Sequence, residues 1–534
     1  MSKKLNFRFL LLLVTGIFLS LNVVAQTITV KGHVQDTDGH PVVFASVTSV
    51  NPKALTNTDA AGNFTIKAQQ GSKLRVSYIG YKSADVVAAP TVTVVLEDNS
   101  TLNEAVVIGY GVAKKSDVTG SVMSIKPDSK NKGLVVNPQD LIQGKVAGVS
   151  VTSGGGTPGG GATIRIRGGS SLNASNDPLI VIDGVAMDNQ GVKGLANPLS
   201  MVNPQDIESF NILKDASATA IYGSRGSNGV IIITTKKGAR GQAPKISYAG
   251  SVTMSTKKKT LKVMNGDEFR AFVKKYYGEN SEPAQALGTA NTDWQKEIYR
   301  TAWSHDHNVT LSGSLKWMPY RVSLGYTDQQ GILKTSDFRR YTAALNLSPS
   351  FLDDHLTMNL SAKGMYAESQ YANGSAVGAA LWMDPTQSIY DTTSPDAANF
   401  HNYFQWRTTG ASLGDPTWPN AWNNLATANP VALLKLMDDK ARSRSFIGNA
   451  EFNYKVHGFE DLRLHMNLGA DVSQGKQTTI KPAGYPSEDG RQTYYYGYNG
   501  WDKILKRNLS FNAYAQYYKD LNDSHHFDVM AGYE

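Results

Sequence analysis

With 534 residues the chain is too long for one ordinary core, and its lack of Cys excludes disulfides, thiolate metal sites and a lipidated N-terminal cysteine. The 53 Lys and Arg stand among 45 Asp and Glu, giving a formal charge of +8 with no basic stripe, so a nucleic-acid-binding face is not expected. Forty-nine Gly, 25 Tyr and 17 Phe, without a sustained heptad, point to aromatic β-structure punctuated by glycine.

Lys3, Lys4 and Arg8 precede an apolar run that starts at Phe9 and continues, with breaks at Thr15, Gly16, Ser20 and Asn22, to Val24. Val23-Val24-Ala25 then offers the short residues a signal peptidase reads, so residues 1–25 are expected to be a cleaved signal peptide. Removing its three cations leaves 8 − 3 = +5. No later stretch supplies the ~20 apolar residues of a spanning helix. An exported chain of this kind is periplasmic, secreted or an outer-membrane barrel.

Residues 26–97 read as a small β-sandwich. Ile28, Val30 and Val34 fall on or near one face, Asp38-Gly39 makes a turn, and Val42–Val50 is a strand. A turn over Asp59–Gly62 precedes Phe64 and Ile66; Leu74, Val76 and Tyr78 alternate, as do Val92, Val94 and Leu96. Gly32-His33-Val34, Asp38-Gly39-His40-Pro41 and Thr58-Asp59-Ala60-Ala61-Gly62-Asn63-Phe64 resemble the carboxypeptidase regulatory-like domain. No peptidase follows from that: the one His-x-x-Glu, His457 to Glu460, falls in an expected hairpin turn without further ligands. No catalytic residue and no cofactor is assigned.

Residues 98–112 form a linker holding the short β-prone run Asn103-Glu104-Ala105-Val106-Val107-Ile108, with no partner strand evident beside it. Such a peptide suits capture by strand addition. It resembles the TonB box of SusC-like transporters. Residues 113–238 then carry Leu141-Ile142-Gln143-Gly144, Ile164-Arg165-Ile166-Arg167-Gly168, Asp177-Pro178-Leu179-Ile180-Val181-Ile182-Asp183-Gly184 and the segment Ile207 to Gly238. These read as buried strands, a helix from about Asp215 to Tyr222 stopped by Gly223, and a last strand Val230–Thr235. The ordered series resembles the plug of the SusC/RagA family of TonB-linked outer-membrane proteins. Gly154–Gly161 lacks the Gly-Lys-Ser/Thr of a phosphate loop and reads as a plug loop.

From residue 239 the pattern becomes that of a barrel wall. Ile246, Tyr248, Val252 and Met254 oppose Ser247, Ser251, Thr253 and Ser255; Leu462, Leu464, Met466 and Leu468 oppose Arg463, His465 and Asn467. About nine runs of bilayer-spanning length follow, joined by connections that alternate between short and long. The expected fold is therefore mainly β: a small sandwich, an α/β plug, and residues 239–534 as an incomplete antiparallel transmembrane barrel. The resemblance implies about twenty-two strands in the whole barrel. The last run ends inside a strand, and an open edge in lipid costs several kcal/mol per unpaired group, so a longer chain is expected to complete the wall.

The resemblance further implies active import across the outer membrane with TonB, energised through ExbB/ExbD, and with a SusD-like lipoprotein lid. A TonB-linked surface signalling receptor is the alternative. It is disfavoured because the sandwich follows the signal peptide directly, without an added signalling domain. For the substrate, Trp406, Trp418, Trp422 and Tyr495 on long connections offer flat faces for sugar rings, so a glycan is preferred over a peptide. His305-Asp306-His307 and His525-His526 sit at expected strand ends without a third ligand, and no metal site is assigned.

Overall fold

The computed structural model describes residues 27–534 apart from 37–38, 44, 50–51, 60, 79–80, 82, 97–104, 108–111, 115–121, 126–136, 170–171, 174, 189, 216–218, 396, 408–425, 487–496 and 523–524. The chain divides into two compact units, residues up to 118 and from 119 onward.

In the first unit, β1 (Thr27–Asp36), β4 (Asn63–Gln69) and β7 (Thr91–Leu96) form one sheet in the order β4-β1-β7. β2 (Ser46–Ser49), β3 (Ala54–Asn57), β5 (Lys73–Ser77) and β6 (Ala84–Val87) form the other, β3-β2-β5-β6. Alternation decides what lies between them. Val30 and Val34, Phe64 and Ile66, Leu74 and Val76, and Val94 and Leu96 are all buried in one core. Thr58 fastens a loop across it: its hydroxyl donates to the Val42 carbonyl at 2.6 Å and accepts from the Ala45 N–H at 2.8 Å. In the turn before β4, the Asp59 carboxylate accepts from the N–H groups of Asn63 and Ala61. Gly62 there has φ +77°, and a Cβ would meet the Val34 carbonyl and Pro41, so only glycine fits.

β8 (Ala105–Val107) pairs with β9 (Val112–Lys114) as a two-stranded hairpin, Val107 opposite Val112. The run that looked unpartnered in the sequence therefore has a local partner, supplied by residues just downstream. Asn103, Glu104 and Ile108 lie outside the described residues.

The second unit opens with a five-stranded sheet, β10-β15-β16-β13-β14, made by Val122–Ile125, Ile207–Leu213, Val230–Thr235, Leu179–Ile182 and Val185–Ala186 respectively. Leu-Ile-Val-Ile in β13 and Val-Ile-Ile-Ile in β16 pair in parallel and are buried along both faces, as an unbroken apolar run demands. β11 (Val149–Ser153) and β12 (Ala162–Ile166) form a separate hairpin joined by the Gly-rich loop. The expected helix at 215–222 is corrected: residues 216–218 lie outside the described set, and Ala220–Gly226 is a 3₁₀ segment bent at Gly223 (φ 57°). Gly223 sits inside that segment as a kink and does not end it.

The remaining strands form one ten-stranded antiparallel sheet. They are β17 (Lys245–Ser255), β18 (Ala302–Leu315), β19 (Met318–Gln330), β20 (Asp337–Leu347), the two-residue β21 (Ser350–Phe351), β22 (Leu356–Tyr371), β23 (Asp438–Lys455), β24 (Leu462–Lys481), β25 (Tyr498–Asn522) and β26 (His525–Tyr533). Each pairs with its sequence neighbour, except that β21 pairs only with β22 and the main ladder steps from β20 to β22. His305-Asp306-His307 falls in the body of β18, paired on both sides, so its expected place at a strand end is corrected.

The burial of this sheet is inverted relative to a water-soluble one. Ile246 is 75% exposed and Leu509 84%, and Val309, Leu345, Phe446 and Leu468 are exposed on the same face. The opposite face buries Asp306, Asn308, Thr310, Ser323, Arg340, Asn346, Lys363, Ser443, Asn467 and Asp471. Apolar residues out and polar residues in is the arrangement of a wall with lipid outside and a hydrated or plugged interior. No helix among the described residues is long and apolar enough to cross a membrane.

The first unit carries a pH prediction. Backbone N–H donation from Asn63 holds the Asp59 carboxyl below its usual range, and a hydrogen bond from Arg75 does the same for Asp85. In the unfolded chain both bind a proton more readily. Their stabilisation is therefore present above about pH 4 and lost as pH falls through the depressed folded values. Thermal unfolding of residues 26–97 expressed alone should be cooperative, with Tm falling below pH 4. The Asp59→Asn/Asp85→Asn variant should show a flatter acid limb. An unchanged limb would show that neither carboxylate controls it.

Candidate plug latch and outer-loop groove

The plug sheet meets the wall where polar side chains of the inner face find plug backbone and plug carboxylates. The tight β13–β14 hairpin is the main contact. Its two-residue turn places both Asp183 (φ 45°) and Gly184 (φ 87°) in the left-handed region, as a type I′ turn requires. Asp183 is bound from every side. Its carboxylate accepts from the Thr235 N–H at 2.8 Å and the Thr235 hydroxyl at 2.6 Å, and forms an ion pair with Lys363 of β22. Its carbonyl accepts from Asn449 Nδ2 of β23 at 2.8 Å. Burial pushes the Asp183 carboxyl up, but the Lys363 charge and the Lys363 and Thr235 hydrogen bonds outweigh it, so the group stays below its ordinary value and ionised.

Further clasps flank it. Arg321 of β19 reaches Asp206 at 2.9 Å, with both side chains largely buried. Arg340 of β20, fully buried, donates to the Ser200 carbonyl at 3.1 Å. Lys506 of β25 pairs with Asp188 at 3.2 Å and donates to the Gln190 carbonyl at 2.7 Å. Hydrogen-bonded ion pairs of this sort hold one register of plug against wall, yet each has desolvation to offset, so together they fix position more than they add stability.

At the end of the wall carrying the long connections, the loops have a core of their own. Trp294, Ile298, Ala376, Ala380, Met383, Tyr403, Val431, Leu433, Leu434 and Tyr485 are buried together. These come from the β17–β18, β22–β23 and β24–β25 connections. α1 (Gly266–Tyr277), α2 (Trp294–Ile298), α3 (Ser375–Trp382) and α4 (Pro430–Lys435) supply the scaffold. α1 starts on a capping box between Asn265 and Glu268. Polar ties complete the layer: Trp294 Nε1 donates to the Asp384 carbonyl at 2.9 Å, Asn373 Nδ2 donates to the Tyr485 hydroxyl at 2.7 Å, and that hydroxyl donates to the Leu433 carbonyl at 3.0 Å.

A groove of about 960 Å³ opens in this layer, lined by Leu261, Met264, Tyr277, Trp294, Trp382 and Trp406 among others, with Asn265, Asn291, Asp293 and Asp384 as polar neighbours. Trp382 is 81% exposed. Of the sequence candidates, Trp406 lines this groove and stands edge-on to Phe404 at 5.3 Å, partly packed against the loop core. Trp418, Trp422 and Tyr495 lie outside the described residues. Trp382 was not among the four residues named as site candidates, and nothing in the sequence linked Asp183 to Lys363.

The latch makes a testable demand. Lys363→Ala leaves a buried carboxylate unpaired, a loss of about 3–5 kcal/mol at the plug–wall contact. In the full-length protein, protease access to the plug should then appear at clearly lower urea. The double variant Asp183→Asn/Lys363→Met, which removes both charges, should recover most of the protection. Equal protection in wild type and Lys363→Ala would show that the pair does not hold the plug.

Comparison with known proteins agrees with this geometry. Residues 114–230 match the TonB-dependent Receptor Plug Domain, and residues 30–108 match the CarboxypepD_reg-like domain. The TonB-dependent receptor SusC of Bacteroides thetaiotaomicron is 53% identical over 536 aligned residues, which cover all of this chain and 52% of SusC. TonB-dependent receptor P26 of Formosa agariphila is 31% identical, covering 89% of this chain and 46% of P26. Among solved structures, the RagAB peptide importer in its open-open state superposes with a TM-score of 0.63 at 24% identity, covering 80% of this chain and 48% of that one, a likeness of fold. The chain spans about half the length of the curated relatives it matches. It belongs to the SusC-like TonB-dependent receptors, and its inverted sheet is outer-membrane β-barrel wall around their plug.

Proposed function

We propose that the whole protein imports a nutrient across the outer membrane, driven by TonB with ExbB/ExbD, and that it breaks no bond in its cargo. The observation that carries this reading is the 53% identity to SusC along the entire chain. Geometry supports it: the plug is docked on a largely polar inner wall through a few discrete, separable clasps. A SusD-like lipoprotein closes over the long loops, whose own core gives such a lid a preformed base. An oligosaccharide is the preferred cargo, peptide second, because Trp382 and Trp406 present aromatic faces in a groove that also carries amide and carboxylate groups.

Asn103, Glu104, Ala105, Val106, Val107 and Ile108 are the proposed TonB box. Capture by strand addition needs backbone donors and a strand edge, and the β8–β9 hairpin occupies one edge of Ala105–Val107. TonB then either displaces β9 or adds to the opposite edge.

Val107→Pro removes an N–H and should abolish energised uptake in the full-length protein, while Val107→Ala keeps the donor and most of the uptake. Surface binding of labelled substrate should survive in both. Normal uptake by the Pro variant would place the box elsewhere. Separately, Trp382→Ala should weaken oligosaccharide binding about tenfold and leave peptide binding unaffected, as expected for loss of one stacking face. Weakened peptide binding with intact oligosaccharide binding would reverse the cargo order.

A further inference from the structure

The outward face of the wall carries a charge pattern that neither import nor plug docking uses. One rung of paired outward positions runs His307, Tyr326, Tyr341, Tyr366 and Arg444 across β18, β19, β20, β22 and β23. The aromatic rings along it are near neighbours, with centroids 5.0 Å apart for Tyr326–Tyr341 and 6.2 Å for Tyr341–Tyr366. This is the aromatic girdle expected where a barrel leaves the hydrocarbon. The next rung toward the long loops reads Asp328, Arg339, Glu368, Arg442, Lys476 and Lys503, each opposite the one before it.

Cations dominate this zone. Lys440, Arg442 and Arg444 are exposed at alternate positions of β23, while the intervening Ala441 and Ser443 and the following Ser445 are buried, so all three point outward. Lys476, Lys503 and Arg507 continue the patch on β24 and β25. Asp328 pairs with Arg339 at 3.2 Å, Glu368 with Arg442 at 3.1 Å, and Asp438 with Lys440 at 2.9 Å. Among the described residues no carboxylate pairs with Arg444, Lys476, Lys503 or Arg507. Two of these lie along aromatic faces: Arg444 is 5.8 Å from the Tyr366 ring centre and Lys476 5.3 Å from that of Trp501.

The pattern is one-sided. From Gly364, Phe446, Val472 and Leu509 toward the short turns, the outward positions of β22–β25 are Leu, Met, Ala, Gly, Val, Phe and Tyr until Lys519 near the end of β25, which pairs with Asp461 at 3.4 Å. At the long-loop end the unpaired cations begin at the aromatic girdle, where the barrel leaves the hydrocarbon. Cations placed there lie where headgroups meet the wall, on stems able to follow the apolar surface upward.

We infer that this patch is a binding site for phosphate groups of the lipid in the outer leaflet, centred on Arg442, Arg444, Lys476 and Lys503. A groove of about 240 Å³ between Arg339, Glu368, Gln370, Lys440 and Arg442 gives it depth. Continuity with the lipid-facing wall selects a membrane lipid over a soluble anion.

The test uses the full-length protein in detergent, titrated with bis-phosphorylated lipid A, with the same glycolipid stripped of both phosphates, and with inorganic phosphate. Lipid A should raise the unfolding temperature of wild type; the stripped lipid should do so far less, and inorganic phosphate not at all. The variant R442Q/R444Q/K476Q/K503Q should bind lipid A at least about tenfold more weakly, and the charge-conserving set R442K/R444K/K476R/K503R should bind it about as wild type does. Should the neutralised variant fail to fold, Lys476→Gln and Lys503→Gln singly should each weaken binding by about fivefold. Equal affinity of neutralised and wild-type protein, or of stripped and phosphorylated lipid, overturns the assignment. So does a response to inorganic phosphate equal to that for lipid A, which would mark a soluble-anion site. A variant that changes only the number of associated copies also overturns it, making the patch an interface between copies.

Discussion

The constraint on which the structure depends is that one sheet faces two solvents. A strand in lipid must pair every backbone group, and antiparallel neighbours do that; the side chains then choose the medium by parity. Once Ile246, Leu345 and Leu509 point outward, Asp306, Arg340, Lys363 and Asp471 are committed to the inside. Burying so many polar groups is tolerable only if something polar meets them. The plug supplies that partner through carbonyls and carboxylates presented at tight turns and short 3₁₀ segments.

This accounts for the odd chemistry of the plug itself. Its sheet is apolar on both faces at β13 and β16, as a small domain core must be, yet the turns leaving that sheet are hydrogen-bonded to the wall. Asp183 shows how the two demands meet. The left-handed backbone of the turn aims its carbonyl at Asn449, while its carboxylate bridges Thr235 within the plug and Lys363 on the wall. Position is set by a few strong directional contacts beside one apolar patch, where Phe338, Met365 and Ile447 of the wall join the plug core. A plug held this way has one resting register fixed by directional contacts, and separating it must also open the apolar patch around Phe338 and Ile447.

Much of this was legible in the sequence, and the reason is periodicity. Two-residue alternation registers in strands of about five residues or more, so the wall strands and the buried runs of the sandwich could be read from residues such as Leu462, Leu464, Met466 and Leu468 or Leu74 and Val76. What could not be read were contacts between segments far apart in the chain. Lys363 is one polar residue among many on an inward parity; nothing local tells it from Ser361 or Asn359, and its meaning arises only from Asp183, 180 residues away. The β8–β9 hairpin escaped notice for a different reason: each strand is only three residues, too short for alternation to register. At Gly223 the sequence offered a helix stop, but a glycine with positive φ also serves as a kink within a 3₁₀ segment, and that is how the chain uses it.

The same parity logic explains why the outward cations were invisible before the ladder was known. In sequence, Lys440, Arg442 and Arg444 are separated by Ala and Ser and resemble any polar strand end. Register converts them into a surface: Arg442 stands opposite Lys476, and Lys476 opposite Lys503, so residues from three strands become lateral neighbours. Like charges directly opposite one another destabilise a sheet. The Arg442–Lys476–Lys503 row therefore carries a cost that Glu368 offsets at only one end. A row that works against the stability of its own strands calls for a compensating anion from outside the chain, and on this face of the wall the neighbouring medium is the lipid leaflet.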